Sequence, residues 1–245
     1  MRYLINLSYN GSKYYGYQIQ NNNLTIEGEI EKVLSKILNT NINTIASSRT
    51  DKSVHALDQY CHFDYDKELD TNKLVHSMNS LLDGSIYIKS IKQVDDDFNA
   101  RFNVKNKEYI YKINMGEYNP IERDYIYQYN HRLDISEMER ALKYLEGEHN
   151  FKSFTKTNEE ITDYVRTISQ TSIVRDSKDI NKITITFVGT GFMRYMVRNM
   201  VGLLIEIGEG KRQAEEIIEI LKNENRTLAG KTAPACGLYL RNVFY

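Results

Sequence analysis

The sequence predicts an α+β fold of two ferredoxin-like halves, each a β-α-β-β-α-β unit with an antiparallel sheet and its helices on one face. Three observations predict it. Apolar residues alternate over some short segments and recur at helical spacing over others, in an order that runs through twice. The length, 245 residues, suits one or two domains. Only two prolines, Pro120 and Pro234, and no low-complexity linker interrupt the pattern.

In the first half, residues 2–9 alternate as a strand does. Residues 26–38 place Ile26, Ile30, Val33, Leu34, Ile37 and Leu38 on one helical face, with Thr25 as the cap and Glu27 and Glu29 in the first turn. Segments 43–48 and 57–65 read as strands. Residues 71–82 carry the next helical stripe, Leu74, Val75, Met78, Leu81 and Leu82, and 85–94 form a strand. The second half opens with a strand at 107–115 and a helix at 136–146, where Ser136 and Glu139 make a capping box. Strands at 166–175 and 181–188, a long helix at 191–208, a shorter one at 213–222 and a closing strand at 237–245 follow. The predicted boundary near 100–106 gives an N-terminal half over 1–105 and a C-terminal half over 106–245. The ferredoxin-like plan hosts many activities and names none.

Hydrophobic residues make up 41% and charged residues 27%, an ordinary globular balance. No apolar run is long enough for a transmembrane helix, and the N-terminus lacks the apolar core of a signal peptide, so a cytoplasmic protein with no membrane contact is expected. Cys61 and Cys236 cannot form a disulfide framework and read as packing residues; no spacing suggests a metal site. No GxGxxG or P-loop points to a nucleotide-dependent small-molecule enzyme. Lys+Arg is 32 against 33 Asp+Glu, so a nucleic-acid partner would require positive charge gathered on one face or cleft. The 19 tyrosines offer stacking surface, although strand propensity and core packing account for most of them.

Residues 47–56, Ser47-Ser48-Arg49-Thr50-Asp51-Lys52-Ser53-Val54-His55-Ala56, bring an arginine, a carboxylate and a histidine within seven positions. By residue type alone this is a polar turn in which Asp51 caps a backbone N–H. The order RTD-x-x-VHA, however, resembles the active-site segment of the pseudouridine synthases, specifically the tRNA pseudouridine synthase A family. Five further segments are similar to that family's motifs, in the same order: 9–18 (YNGSKYYGYQ), 97–102 (DFNARF), 107–113 (KEYIYKI), 196–202 (MVRNMVG) and 233–240 (APACGLYL).

The resemblance implies the pseudouridine synthase fold and isomerisation of uridine to pseudouridine in RNA, without a metal or redox cofactor. It implies that Asp51 is the catalytic carboxylate, acting as nucleophile or as base. Arg198 matches the arginine that pairs with it, and a neighbouring cation keeps a shielded carboxylate ionised. Tyr109 matches the tyrosine that stacks on the target base, and its phenol is a candidate for removing the C5 proton. Arg49 matches the residue that enters the RNA stack when the nucleotide is extruded. Arg194 lies four residues before Arg198, on one face of the predicted 191–208 helix. Lys13, Arg101, Arg166 and Arg194 are further candidates for phosphate contacts, and His55 for orienting Asp51.

The implied substrate is the anticodon stem-loop of tRNA, positions 38–40, taken by a homodimer, with Asp51 as the reacting group. A paralogue acting on another RNA site, or a catalytically silent RNA-binding protein, is the alternative. Its motive is a set of departures from the family pattern: Ser48 and Ser53 for glycines, Asn10 for aspartate, Tyr17 for tryptophan, Ile19 for arginine and Asn99 for histidine.

Overall fold

The computed structural model describes residues 1–156 and 162–245. The chain divides into two compact units, Met1–Lys105 with Tyr239–Tyr245, and Asn106–Leu238.

The first unit contains β1 (Arg2–Tyr9), α1 (Ile26–Leu38), β2 (Ile45–Ala46), β3 (His55–Asp64), α2 (Thr71–Leu81) and β4 (Ile86–Val94). Strand β1 runs antiparallel between β4 and β3, and β2 pairs antiparallel with β3, the strand order of a split β-α-β. Strand β2 is shorter than the 43–48 expected. Just past it the Ser47 hydroxyl turns away to the buried side chain of Gln59, 2.5 Å distant. Helix α1 follows its sequence pattern: Thr25 Oγ1 accepts the Gly28 N–H at 3.3 Å, and Ile26, Ile30, Val33 and Leu34 are buried. Each such side chain contributes roughly 1.5–3 kcal/mol by leaving water.

Two histidines of β3 act as acceptors for loops. His55 Nδ1 takes the Gly11 N–H at 3.2 Å, and His62 Nδ1 takes the Ala100 N–H at 3.1 Å. Burial and the nearby Arg2 charge lower the His62 pKa from its ordinary 6.5. The unfolded chain therefore binds the proton first as pH falls. His62 costs no stability above about 6.5 and removes stability in the window below it. His62→Asn, which keeps an acceptor near the Nδ1 position but does not titrate, is expected to melt with a shallower dependence on pH between 7 and 5. An unchanged slope would remove His62 as the cause.

The second unit contains β5 (Asn106–Asn114), β6 (Tyr127–Gln128), α3 (Ile135–Lys143), β7 (Gly147–Asn150), β8 (Val165–Arg175), β9 (Lys182–Gly189), α4 (Met196–Gly208) and α5 (Glu216–Asn223). Its antiparallel sheet has the order β5-β9-β8-β7. Strand β10 (Leu238–Phe244) follows. The sequence assigns 237–245 to the second half, whereas Tyr239–Tyr245 belong to the first unit, where Tyr239 and Leu240 pair with His55 and Ala56 of β3. That pairing is parallel, as is β5 with β6, so the sheets are mixed rather than purely antiparallel.

Two helix starts also differ from expectation. Asp134, not Ser136, caps α3: its side chain accepts the Glu137 N–H at 3.2 Å and the Ser136 hydroxyl at 2.6 Å. Helix α4 begins at Met196 rather than at 191, because Tyr195 takes a left-handed backbone conformation, φ 64°. Helix α4 is buried almost all round, the state expected of a helix through the centre of a core. Arg198 and Glu206 are its two residues that reach solvent in part.

Among the described residues no helix is long and apolar enough to cross a membrane, and no group of three or more His, Cys, Asp or Glu is placed to hold a metal ion.

Candidate active site

Asp51 sits in the connection between β2 and β3 and is half-buried. The loop that carries it is fastened mostly through main-chain atoms. Upstream, Gln59 receives the Ser47 hydroxyl and donates to the Ser48 carbonyl at 2.8 Å. At its centre, the Thr50 carbonyl accepts the Tyr17 N–H at 3.0 Å, and the Thr50 and Tyr9 hydroxyls lie 2.8 Å apart. Downstream, Val54 N–H bonds the Asp51 carbonyl at 3.1 Å. The segment 9–17 is pressed against this loop. A Cβ on Gly11 would lie 1.9 Å from the Val54 carbonyl oxygen, so only glycine permits the approach. His55, stacked on Tyr239 at 4.6 Å, holds the Gly11 N–H. It thereby ties the 9–17 segment to the start of β3.

All the departures from the family pattern except Ile19 find physical accounts here. Asn10 still caps the short turn at Gly11–Lys13, accepting the Ser12 N–H at 3.0 Å. Asn99 accepts the Arg101 and Phe102 N–H groups at 2.9 and 3.2 Å. Tyr17 is fully buried beside the Cys61 thiol, which burial pushes up to about 12, an inert packing cysteine. Ser53 alone of the two serines adopts positive φ, at 63°. A non-glycine residue there costs on the order of 1 kcal/mol. Ser53→Gly is expected to raise stability by about 0.5–1 kcal/mol in denaturant melts; a loss would mean that the serine side chain contributes more than its backbone strain removes.

Arg49 is exposed, and its charge acts on Glu27, opposing the upward push of burial on that carboxyl. Lys13 faces Asp83 at 3.6 Å, with both side chains well exposed. Arg101 lies against the Phe102 ring, 5.5 Å from its centroid.

In the second unit, the turn at 190–195 gathers four of the predicted residues. Tyr109 of β5 is buried, with its ring meeting that of Phe192 edge-on at 5.1 Å. Arg166 of β8 passes beside Gly191, where an added Cβ would lie 3.7 Å from its Cδ. Arg194 belongs to the turn itself, not to the helix, which corrects the expectation that Arg194 and Arg198 share a helical face. Arg198, in the first turn of α4, is bound twice to Ala233: its Nε donates to the Ala233 carbonyl at 2.8 Å, and its own carbonyl accepts the Ala233 N–H at 3.0 Å.

The segment 230–234 thus forms the seat of Arg198. Arg198, Gly202 and Glu206 are spaced i, i+4, i+8 on one stripe of α4. Glu206 accepts the Lys231 N–H at 3.3 Å, and a Cβ on Gly202 would lie 1.7 Å from the Lys231 carbonyl oxygen. The buried Tyr111 hydroxyl donates to the Pro234 carbonyl at 2.7 Å. The motif 196–202 and the start of the motif 233–240, separate in sequence, meet here at Arg198 and Ala233.

A family model described as tRNA pseudouridine synthase matches residues 141–245. The tRNA pseudouridine synthase A of Anoxybacillus flavithermus is 40% identical over 240 residues, covering 98% of this chain and 96% of that one. Those of an Exiguobacterium species and of Latilactobacillus sakei are 41% and 37% identical over 239 and 246 residues, covering 98% and 100% of this chain and 96% and 98% of theirs. This chain belongs to the tRNA pseudouridine synthase A family.

Membership in the tRNA pseudouridine synthase A family makes the chain an RNA pseudouridine synthase, an isomerase with the pseudouridine synthase fold. Several residues that shape this family member's site escaped sequence reasoning: Gln59, Phe192, Tyr195, Tyr111 and Ala233. The signal for Ala233 was present, since 233–240 was read as a motif, but only the fold shows that it serves Arg198. Phe192 and Tyr195 fell inside the predicted 191–208 helix and carried no separate signal.

Proposed function

We propose that this enzyme isomerises uridine to pseudouridine in the anticodon stem-loop of tRNA, at positions 38–40, with Asp51 as the catalytic carboxylate. The observation that carries the proposal is the Arg49-Thr50-Asp51 loop, held by backbone contacts on both sides in a chain that aligns nearly end to end with tRNA pseudouridine synthases A. A carboxylate on a loop that does not yield is suited to attack on, or proton removal from, a nucleotide brought to it. Arg49 fills the stack left by the extruded base, a task for a planar and permanently charged group. Tyr109 stacks on the uracil, and its edge contact with Phe192 fixes the ring plane. Arg198 supplies the guanidinium that keeps the catalytic carboxylate ionised. Lys13, Arg101, Arg166 and Arg194 contact phosphates. The protein works in the cytoplasm as a homodimer, which offers the RNA two sets of cations despite a formal charge of −1 per chain.

The test is chemical mapping of pseudouridine in unmodified tRNA incubated with wild type and with Asp51→Asn. Product confined to the anticodon stem-loop with wild type, and none with the variant, is the expected result. Product elsewhere would replace the substrate assignment. Binding without product from either protein would point to a silent RNA-binding protein. Light scattering at working concentration checks the dimer.

A further inference from the structure

Tyr195, which lies between Arg194 and Arg198 in the sequence, is in an unusual state. Tyr195 has φ 64° and ψ −1°, and it precedes α4 without making a side-chain cap. An aromatic residue in the left-handed region is strained, and such strain persists only where the surroundings impose it. They do so here on both sides. The buried Thr155 hydroxyl donates to the Arg194 carbonyl at 2.9 Å. Asn199 N–H bonds the Tyr195 carbonyl at 2.8 Å, and Met196 N–H bonds the Met193 carbonyl at 3.0 Å.

This conformation brings both guanidinium groups to one ring. The Arg194 and Arg198 Cζ atoms lie 4.9 and 5.3 Å from the Tyr195 ring centroid, within cation–π range. Arg194 Nη2 also donates to the Tyr195 hydroxyl at 3.2 Å. Arg198 is held at Nε by Ala233 and its Cζ lies over the Tyr195 ring, so both contacts constrain the direction of its terminal nitrogens. Two like charges gathered at one ring repel each other, and the ring's negative face offsets part of that cost.

We propose that Tyr195 is a positioning residue: its ring holds Arg198 in the orientation used in the reaction and Arg194 in the orientation used for an RNA phosphate. The inference rests on the role of Arg198 given above. The strained backbone at Tyr195 is the means by which one side chain serves arginines on either side of it.

The test uses the full-length enzyme on an unmodified tRNA transcript, with kcat, KM, the pH–rate profile and thermal melts read for three variants. Tyr195→Asn accepts the left-handed backbone readily and lacks the ring. It is expected to melt no lower than wild type, to lose about tenfold or more in kcat with a smaller change in KM, and to show the acid limb of its pH–rate profile moved to higher pH. Tyr195→Phe, which keeps the ring, is expected to restore turnover to within about threefold of wild type. Wild-type turnover in Tyr195→Asn overturns the proposal, as does a loss in Tyr195→Phe equal to that in Tyr195→Asn. Should Tyr195→Asn melt low, Tyr195→Phe still decides, because it tests the ring against the hydroxyl without altering the backbone preference. Arg198→Ala is assayed in parallel. If it is inactive while Tyr195→Asn is fully active, only the positioning role fails; if it is itself fully active, the underlying role of Arg198 fails.

Discussion

Asp51→Asn is expected to leave the fold and tRNA binding intact while turnover falls by about 10⁴-fold or more, the scale on which removal of a nucleophile or essential base acts. The substitution is isosteric and removes only the charge and the basic oxygen. The loop takes its shape from the contacts of Gln59, Thr50, Tyr17 and Gly11 with main-chain or neighbouring atoms, so the variant should melt with wild type. A gel-shift titration with unmodified tRNA checks binding, and single-turnover mapping checks chemistry. Residual turnover within about a hundredfold of wild type would exclude an essential nucleophile or base at this position and leave it a contribution of about 3 kcal/mol or less.

Gly202→Ala is expected to cost about 3 kcal/mol or more in stability and to lower turnover along with it. The added methyl carbon would stand 1.7 Å from the Lys231 carbonyl oxygen, and that obstacle is backbone, not the end of a flexible side chain. Overpacking a well-filled site typically costs 1–3 kcal/mol, occasionally more. Here the segment must lift off α4 as well. Lifting it strains the Lys231 N–H bond to Glu206 and the two bonds between Arg198 and Ala233, each contributing about 0.5–1.5 kcal/mol. Urea melts give the stability change, and the midpoint is expected to fall without a change in slope. A cost under about 1 kcal/mol would show that the 230–234 segment yields freely, and the seat of Arg198 would then not be rigid.

How much of this could be read beforehand depends on what kind of contact made each feature. Strand β1 and helix α1 were legible residue for residue, since alternation, a 3.6-residue stripe and the Thr25 cap all agree there. The loop around Asp51 was legible as a motif, but its fastening was not: close backbone approach at Gly11 leaves no mark in the sequence beyond a glycine. The predicted 191–208 helix is five residues too long because Met193 continues the apolar spacing of Met196, Val197 and Met200. Nothing in a tyrosine announces a left-handed residue, where Gly or Asn would have. Ser136 with Glu139 satisfied the capping pattern while Asp134, two residues earlier, made the bonds. Strand β10 joins the first unit through pairing between residues almost two hundred positions apart, a long-range choice that local periodicity does not encode.

The interlock of residues 9–17 with the Asp51 loop has a consequence for how this protein can vary. Its closest approaches join one stretch of peptide backbone to another: Gly11 against the Val54 carbonyl, Tyr17 N–H to Thr50, Ser53 N–H to Tyr14. Amide geometry is common to nearly every residue type, so lineages can exchange the exposed side chains at positions 15 and 52 without displacing the Asp51 carboxylate. Mutational drift is thereby channelled onto the exposed rim of the loop, and divergence there need not disturb the backbone that carries Asp51.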